Sequence, residues 1–428
     1  MRKKLFALVD CNNFYVSCER VFHAHLAHTP VIVMSNNDGC IVARSNESKK
    51  FGLKMGQPVF EVEEIIKAHH IQVFSSNYSL YADMSDRVMK ILAEFSPRLE
   101  IYSIDEAWLD LTPLSLPDLT SFGRQIKSRV YQFTSLPVSV GIAPSKTLAK
   151  IAHEIAKKHN AYAGVLDLTA LSEQDVDQLL EALPVDEVWG IGMQYAKWLR
   201  EQGICTVKEL KYADEAWIRK HLTVVGQRTV LELRGIACIP LEPEPNAKKG
   251  IMTAKTFGRE IKSQEELEEA VANYIARAAE KLRSQHSLCS SISVFIQTNR
   301  FKKDVPQYSA SLTRHLPIPT AFTPDLIKQA REAVRAMYRP GYGYRKAGVY
   351  LSKIVPDENL QPDLFGGFSL DVHYKQMRLM AIVDVINKVY GRDTLFLAVQ
   401  GITRTWKMRQ FKLSPHYTTR WDELLSVT

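Results

Sequence analysis

Two acids stand side by side at Asp105-Glu106, inside the otherwise apolar run Leu-Glu-Ile-Tyr-Ser-Ile-Asp-Glu-Ala-Trp-Leu-Asp-Leu at 99–111. The alternation on either side predicts two extended arms, 99–102 and 107–111. Neighbouring side chains of a straight strand point to opposite faces. Both acids can serve one site only if the backbone bends there, at a hairpin end or a bulge. Like charges held together away from water need a cation, and hard oxygen ligands suit Mg2+. An exposed turn with two solvated acids is the plain alternative for this stretch alone. A third acid, Asp10, ends the apolar run Leu-Phe-Ala-Leu-Val at 5–9. Such a run suits a strand buried on both faces, with Asp10 at its carboxyl end, where open sheets place ligands. By itself Asp10 could cap the following helix. Together the three carboxylates could hold two ions, one to activate an attacking oxygen and one to hold phosphates.

The elements around these acids are readable from their periodicity. A strand is predicted at 31–34, a turn at Asn36-Asn-Asp-Gly39, and an extended stretch at 40–43. An amphipathic helix at 78–95 would pack behind the sheet, and 138–142 is another strand. In the helix predicted at 145–158, Lys146, Lys150 and Lys157 share one side and Leu148, Ile151 and Ile155 the other. The lysine row is either a solvated face or a contact with a triphosphate or DNA. Around Trp189-Gly-Ile-Gly192 two helices joined by a turn predict a helix–hairpin–helix, whose Gly190 and Gly192 amides could bind a DNA phosphate; an ordinary helical hairpin is the alternative. The proline-rich 239–250 reads as a linker. Beyond it the predicted order is βαββαβ, a small open sheet with helices on one side. After a loop at 355–367, the residues from 370 on predict a helix at 372–390, a short strand at 394–399 and a basic tail.

Net charge is +8 over 428 residues, and residues 246–355 carry 19 Lys/Arg against 9 Asp/Glu, which leaves the rest at about −2. One module therefore holds the positive charge, as expected of a grip on phosphate backbone. Six cysteines without Cys-x-x-Cys spacing argue against zinc and against a disulfide scaffold, and fit a reducing cytosol. No run approaches a membrane span, so no membrane partner is expected and the protein is read as soluble and cytoplasmic.

Asp-Cys-Asn-Asn-Phe-Tyr at 10–15 and Ser-Ile-Asp-Glu-Ala at 103–107 resemble the two catalytic motifs of Y-family, lesion-bypass DNA polymerases. The stretches at 35–40, 75–84, 184–192 and 413–420 are similar to the UmuC branch, so the resemblance covers essentially the whole chain. It implies a multidomain α/β and α+β right-hand polymerase: palm 1–30 and 76–170, small fingers 31–75, and helical thumb 171–240. A linker 241–250, a βαββαβ little finger 251–354, a clamp-binding linker 355–369 and a small C-terminal domain 370–428 follow. The implied activity is error-prone, template-directed translesion synthesis in the SOS response, transferring a deoxynucleotide to a primer 3′-hydroxyl with two Mg2+ ions.

The resemblance assigns Asp10, Asp105, Glu106 and the Cys11 carbonyl to metal. Tyr15, with Phe14 beside it, becomes the ring that refuses a 2′-hydroxyl, although both rings could be core. Lys157 and Lys49 meet the triphosphate. Many members carry a Tyr and an Arg where Asn46 and Lys49 stand here, and Arg44 is a possible compensation. Lys255, Arg259, Arg300, Lys302 and Lys303 would track primer-template DNA. Gln361, Leu364 and Phe365 resemble a sliding-clamp peptide. A UmuD′-type dimer and RecA are the further partners implied. A two-metal nuclease or cyclase, and a catalytically silent DNA-binding subunit, are the competing readings.

Overall fold

The structure is a computed structural model and describes residues 4–425 except 245 and 361–368. The chain forms two compact units. The first comprises residues 1–35, 39–245 and 412–428, and the second 36–38 and 246–411.

The first unit is built on β1 (Phe6–Cys11), buried at every position as its apolar run requires. Helix α1 (Phe14–Phe22) follows, then β2 (Val31–Met34), β3 (Ile41–Arg44), α2 (Asn46–Lys49), α3 (Glu63–Ala68) and β4 (Gln72–Ser75). Strands β3-β2-β4 form a small three-stranded sheet. The chain continues through α4 (Tyr78–Ala93), β5 (Leu99–Ile101), β6 (Glu106–Asp110), α5 (Leu119–Thr134), β7 (Val138–Ala143), α6 (Lys146–Lys158) and β8 (Val165–Asp167). The main sheet has the order β5-β6-β1-β7-β8, so the two arms of the acidic stretch and the first strand lie side by side.

Strand periodicity divides β1 cleanly. Ala7, Val9 and Cys11 join the core made with α1, α4 and α5, whereas Phe6 and Leu8 join the core beneath α6. Asp10 therefore falls on the α6 side. Gly141 of β7 is what lets that helix come close. A Cβ there would meet the Ala149 carbonyl oxygen and the His153 nitrogen, both at 2.2 Å, so only glycine allows this crossing.

Helices α7 (Glu173–Glu181), α8 (Met193–Glu201), α9 (Val207–Lys211) and α10 (Glu215–Leu233) complete the first unit. The Gly190–Gly192 turn leads into α8 from a single 3-10 turn, Val185–Glu187, where the sequence predicted a full helix.

The second unit runs β9 (Ile251–Ile261), α11 (Gln264–Ser284), β10 (Ser287–Thr298), β11 (Ser309–Thr320), α12 (Thr323–Met337) and β12 (Tyr344–Pro356). This is the βαββαβ order read from the sequence. The antiparallel sheet β11-β10-β12-β9 packs one face on α11 and α12, and β11 alternates between exposed and half-buried residues. Helix α13 (Leu370–Val389) follows.

The strand expected at 394–399 is not formed. Both backbone groups of Leu395 are taken by the Asn387 amide, at 2.9 Å each, and Ala398–Gln400 is a 3-10 turn. A side chain has replaced the ladder partner. Residues up to 411 lie in the second unit and those from 412 on in the first. All six cysteines are free, and among the described residues no helix is long and apolar enough to cross a membrane.

Candidate active site

The acidic stretch bends as its chemistry requires. The N–H groups of Tyr102 and Ser103 both donate to the Glu106 carbonyl at 3.1 Å, which closes a hairpin end between β5 and β6. Asp105 sits in that turn and Glu106 opens β6. Glu106 is the cross-strand partner of Asp10, and the Cys11 N–H donates to the Asp105 carbonyl at 2.9 Å. The three acids thus meet at one end of the sheet, with Asp10 and Glu106 on the face toward α6.

That face of α6 is not a solvated lysine row. Lys146, 1 % exposed, donates to Glu100 at 2.5 Å and to the Pro240 carbonyl at 2.8 Å. Lys150 donates to Glu106 at 2.7 Å, and Lys157 to Asp10 at 2.7 Å. Each cation meets a different carboxylate, and two of those belong to the acidic cluster. His153 lies on the same face, fully buried, with Nε2 3.4 Å from Asp10 Oδ1. The sequence reading passed over this histidine, although the spacing 146, 150, 153, 157 puts it in the row.

Electrostatics separate the two aspartates. Burial raises the Asp10 carboxyl, but the hydrogen bonds and charges of His153 and Lys157 outweigh it and leave it below its ordinary value. Asp105 is pushed up by burial and by the Asp10 charge, against a hydrogen bond from Ser103. Lys157 is lowered by burial but raised further by Asp10, so it stays charged. The Cys11 thiol is pushed well up by burial and by the two aspartates, so it is neutral.

As placed, the carboxylates turn to separate protein donors, Asp105 to the Ser103 hydroxyl at 2.5 Å, and among the described residues no three His, Cys, Asp or Glu side chains converge on one point. The donor set is nevertheless all oxygen and anionic, and it fits a hard divalent cation.

Phe14 is buried core, 3 % exposed. Tyr15 is half-buried and stacks on Tyr81, with ring centres 4.4 Å apart, and Tyr78 stands edge-on to both. Burial, Tyr78 and the Asp105 charge raise the Tyr15 phenol. Lys49 donates to Asn13 and Asn46, each at 2.9 Å, so Asn46 orients the lysine. The Arg44 guanidinium donates one hydrogen bond to the Leu53 carbonyl.

Gly190, at φ 91°, needs glycine, and α8 starts at Gly192 without a side-chain cap. In the second unit Arg259 is held by Glu266 and Thr405, and Lys302 by Glu260 at 2.7 Å. Arg300 lies over the Phe301 ring, and Lys303 is exposed. Lys255 pairs in register with the buried Ala347, on the helix side of the sheet. Burial and the charges of Arg392, Arg277 and Lys281 lower its amine. Gln361, Leu364 and Phe365 lie outside the described residues.

Comparison with known proteins gives the family and the fold. Residues 9–154 match the impB/mucB/samB family, 248–364 its C-terminal domain, and 377–427 a domain of unknown function (DUF4113). Protein UmuC of Salmonella typhimurium is 44% identical over 99% of this chain and 100% of its own, and Protein MucB of Escherichia coli is 43% identical over the same shares. DNA polymerase IV of Moorella thermoacetica is 29% identical over 92% of this chain and 95% of its own. Among solved structures, a Y-family DNA polymerase chimera of Dbh and Dpo4 matches with a TM-score of 0.64 at 22% identity, covering 82% of this chain and 99% of that one. The fold is therefore that of the Y-family polymerases. An acidic hairpin end set against the first strand, within a likeness that spans the full length of its relatives, leaves one assignment: the chain belongs to the impB/mucB/samB family, the family of Protein UmuC and Protein MucB.

Proposed function

We infer that the chain is an error-prone, template-directed DNA polymerase of the lesion-bypass kind, acting in the SOS response. The observation that carries this reading is the cross-strand pairing of Asp10 with Glu106, with Asp105 tied by its carbonyl to the next residue of β1.

Asp10, Asp105, Glu106 and the Cys11 carbonyl would hold two Mg2+ ions. When bound, such ions supply Lewis acidity toward the primer hydroxyl and the triphosphate. The protein's own groups do the rest. Lys157 and Lys150 neutralise Asp10 and Glu106, and their ammonium groups are at hand to offset charge on a leaving pyrophosphate. Lys49, oriented by Asn13 and Asn46, serves the same charge from α2. The Tyr15 ring, supported from below by Tyr81, refuses a 2′-hydroxyl by contact.

Gly190 and Gly192 offer backbone amides to DNA phosphate without reading sequence, and Lys255, Arg259, Arg300, Lys302 and Lys303 add cations in the second unit. The sliding clamp, through Gln361, Leu364 and Phe365, a UmuD′-type dimer and RecA are its partners in a cytoplasmic setting.

Primer extension with Mg2+ and all four deoxynucleotides tests the reading. Extension by the native chain, and a loss of at least about a hundredfold in Asp105→Asn, is expected. Strand cleavage without extension would point to a nuclease, and unchanged synthesis by Asp105→Asn to a silent subunit.

A further inference from the structure

Two stretches with no residue assigned to metal, nucleotide or DNA, 75–84 and 413–420, meet in the first unit. The Ser75 N–H donates to the Lys412 carbonyl at 2.9 Å, and the Lys412 N–H returns a bond to Ser75 Oγ at 3.0 Å. Asn77 caps α4 through its oxygen. Its amide hydrogens go to the carbonyls of Ser414 and Pro415, at 3.0 and 3.1 Å. Tyr417 stacks on Phe22 of α1, ring centres 4.6 Å apart. Residues 412–417 thus lie as a strap across α1 and the start of α4.

From the strap a line of contacts runs inward. Ser414 Oγ donates to Glu19 Oε1 at 3.0 Å, and the same oxygen accepts the Tyr81 hydroxyl at 2.7 Å. Glu19 and Tyr81 are both fully buried, and among the described residues Glu19 Oε2 has no partner. The Tyr81 ring lies under Tyr15, 15° from parallel. An apolar side chain would pack at position 19 with less penalty. What the carboxyl adds is direction: it fixes the Tyr81 hydroxyl, and with it the plane on which Tyr15 rests.

We propose that the strap is a positioning device for sugar selection: Ser414 and Glu19 anchor Tyr81, Tyr81 sets the plane of Tyr15, and seating of the strap determines how strictly ribonucleotides are refused. This rests on the sugar-selecting role given to Tyr15 above. Glu19, Tyr81 and Ser414 are positioning residues that act only through the Tyr15 ring.

A pH readout accompanies the geometry. The groups facing Glu19 are Tyr81 on α4, Cys18 on its own helix, and Ser414 and Tyr417 on the strap, with His23 behind Tyr417. Burial pushes the Glu19 carboxyl up to about 7, so its grip on the two hydroxyls strengthens as it ionises near neutrality.

The test is single-nucleotide insertion by the full chain on primer-template DNA with Mg2+. Deoxy- and ribonucleotide are compared opposite the same base, as a ratio of kcat/KM. Tyr15→Ala serves as the control and should raise ribonucleotide insertion. Ser414→Ala and Tyr81→Phe should lower the ratio roughly tenfold while deoxynucleotide insertion stays within about twofold. The native ratio should fall from pH 8 to pH 6, and Glu19→Gln should be flat. A merely structural role would lower both insertions together. If Tyr15→Ala changes the ratio and the other variants do not, the strap proposal alone is overturned. If Tyr15→Ala leaves it unchanged, the sugar-selecting role falls and takes the strap with it. Equal pH dependence in native and Glu19→Gln also overturns it. Ser414→Ala removes one oxygen atom and decides the question should Tyr81→Phe fail to fold.

Discussion

Buried charge is used in two opposite ways here. Lys146 and Glu100 form a pair in which the lysine is 1 % exposed and the Glu242 N–H adds a further bond at 2.7 Å. Removing only the cation leaves a carboxylate stranded in low dielectric. Lys146→Ala should therefore destabilise by ~3 kcal/mol or more, and the double change Lys146→Met with Glu100→Gln should recover most of it in urea unfolding. Among the described residues Glu19 has no cationic partner. Its raised pKa means that the folded chain holds the proton more tightly than the unfolded one. Its contribution is therefore favourable at low pH and is lost as pH rises from the ordinary 4.5 through about 7. Relative to Glu19→Gln, the native chain should lose on the order of 3 kcal/mol between about pH 5 and pH 8. Parallel stability curves for the two proteins would contradict this.

At the scale of elements, the site depends on how closely α6 crosses β7. Gly141→Ala puts a methyl group into the backbone of α6, which must withdraw and carry Lys150, His153 and Lys157 away from the acids. A loss of at least about tenfold in extension, with a stability loss of ~2 kcal/mol or more, is the expected outcome. Unchanged activity in a stable Gly141→Ala protein would show that the lysine row is dispensable. Strands β1, β2, β3, β5, β6 and β7, the hairpin end and the βαββαβ order were legible in the sequence, because period-two alternation and turn residues are local signals; the short β4 and β8 were not. What α6 faces was not legible. Its angular pattern separates Lys146, Lys150 and Lys157 from the apolar side, but a helix buried on both sides and one solvated on the lysine side share that pattern. Only the tertiary placement of Glu100, Glu106 and Asp10 decides between them. The strand expected at 394–399 failed for a similar reason, since the amide of Asn387 competes for the Leu395 backbone from outside the stretch. His153 and Glu19 were missed because a single titratable residue in a helix carries no local mark of its partner.

For the whole molecule, the uneven charge is the property to test. The stretch 246–355 holds the positive excess while the remainder is slightly acidic. Affinity for primer-template DNA should fall steeply with salt and depend little on sequence. Replacing Arg300, Lys302 and Lys303 by alanine should reduce the slope of log affinity against log salt by about two to three units, uniformly across templates. A slope equal to that of the native chain would remove these three residues from the DNA contact.

The return of the chain to the first unit at residue 412 bears on how the protein is made. Glu19 and Ser414 stand 395 residues apart in the chain, yet share one hydrogen bond. The core around α1 is therefore completed by a contact of long sequence separation, which is slow to form. A product stopped short, by a nonsense codon or a protease, carries an open seam beside the Tyr15 ring.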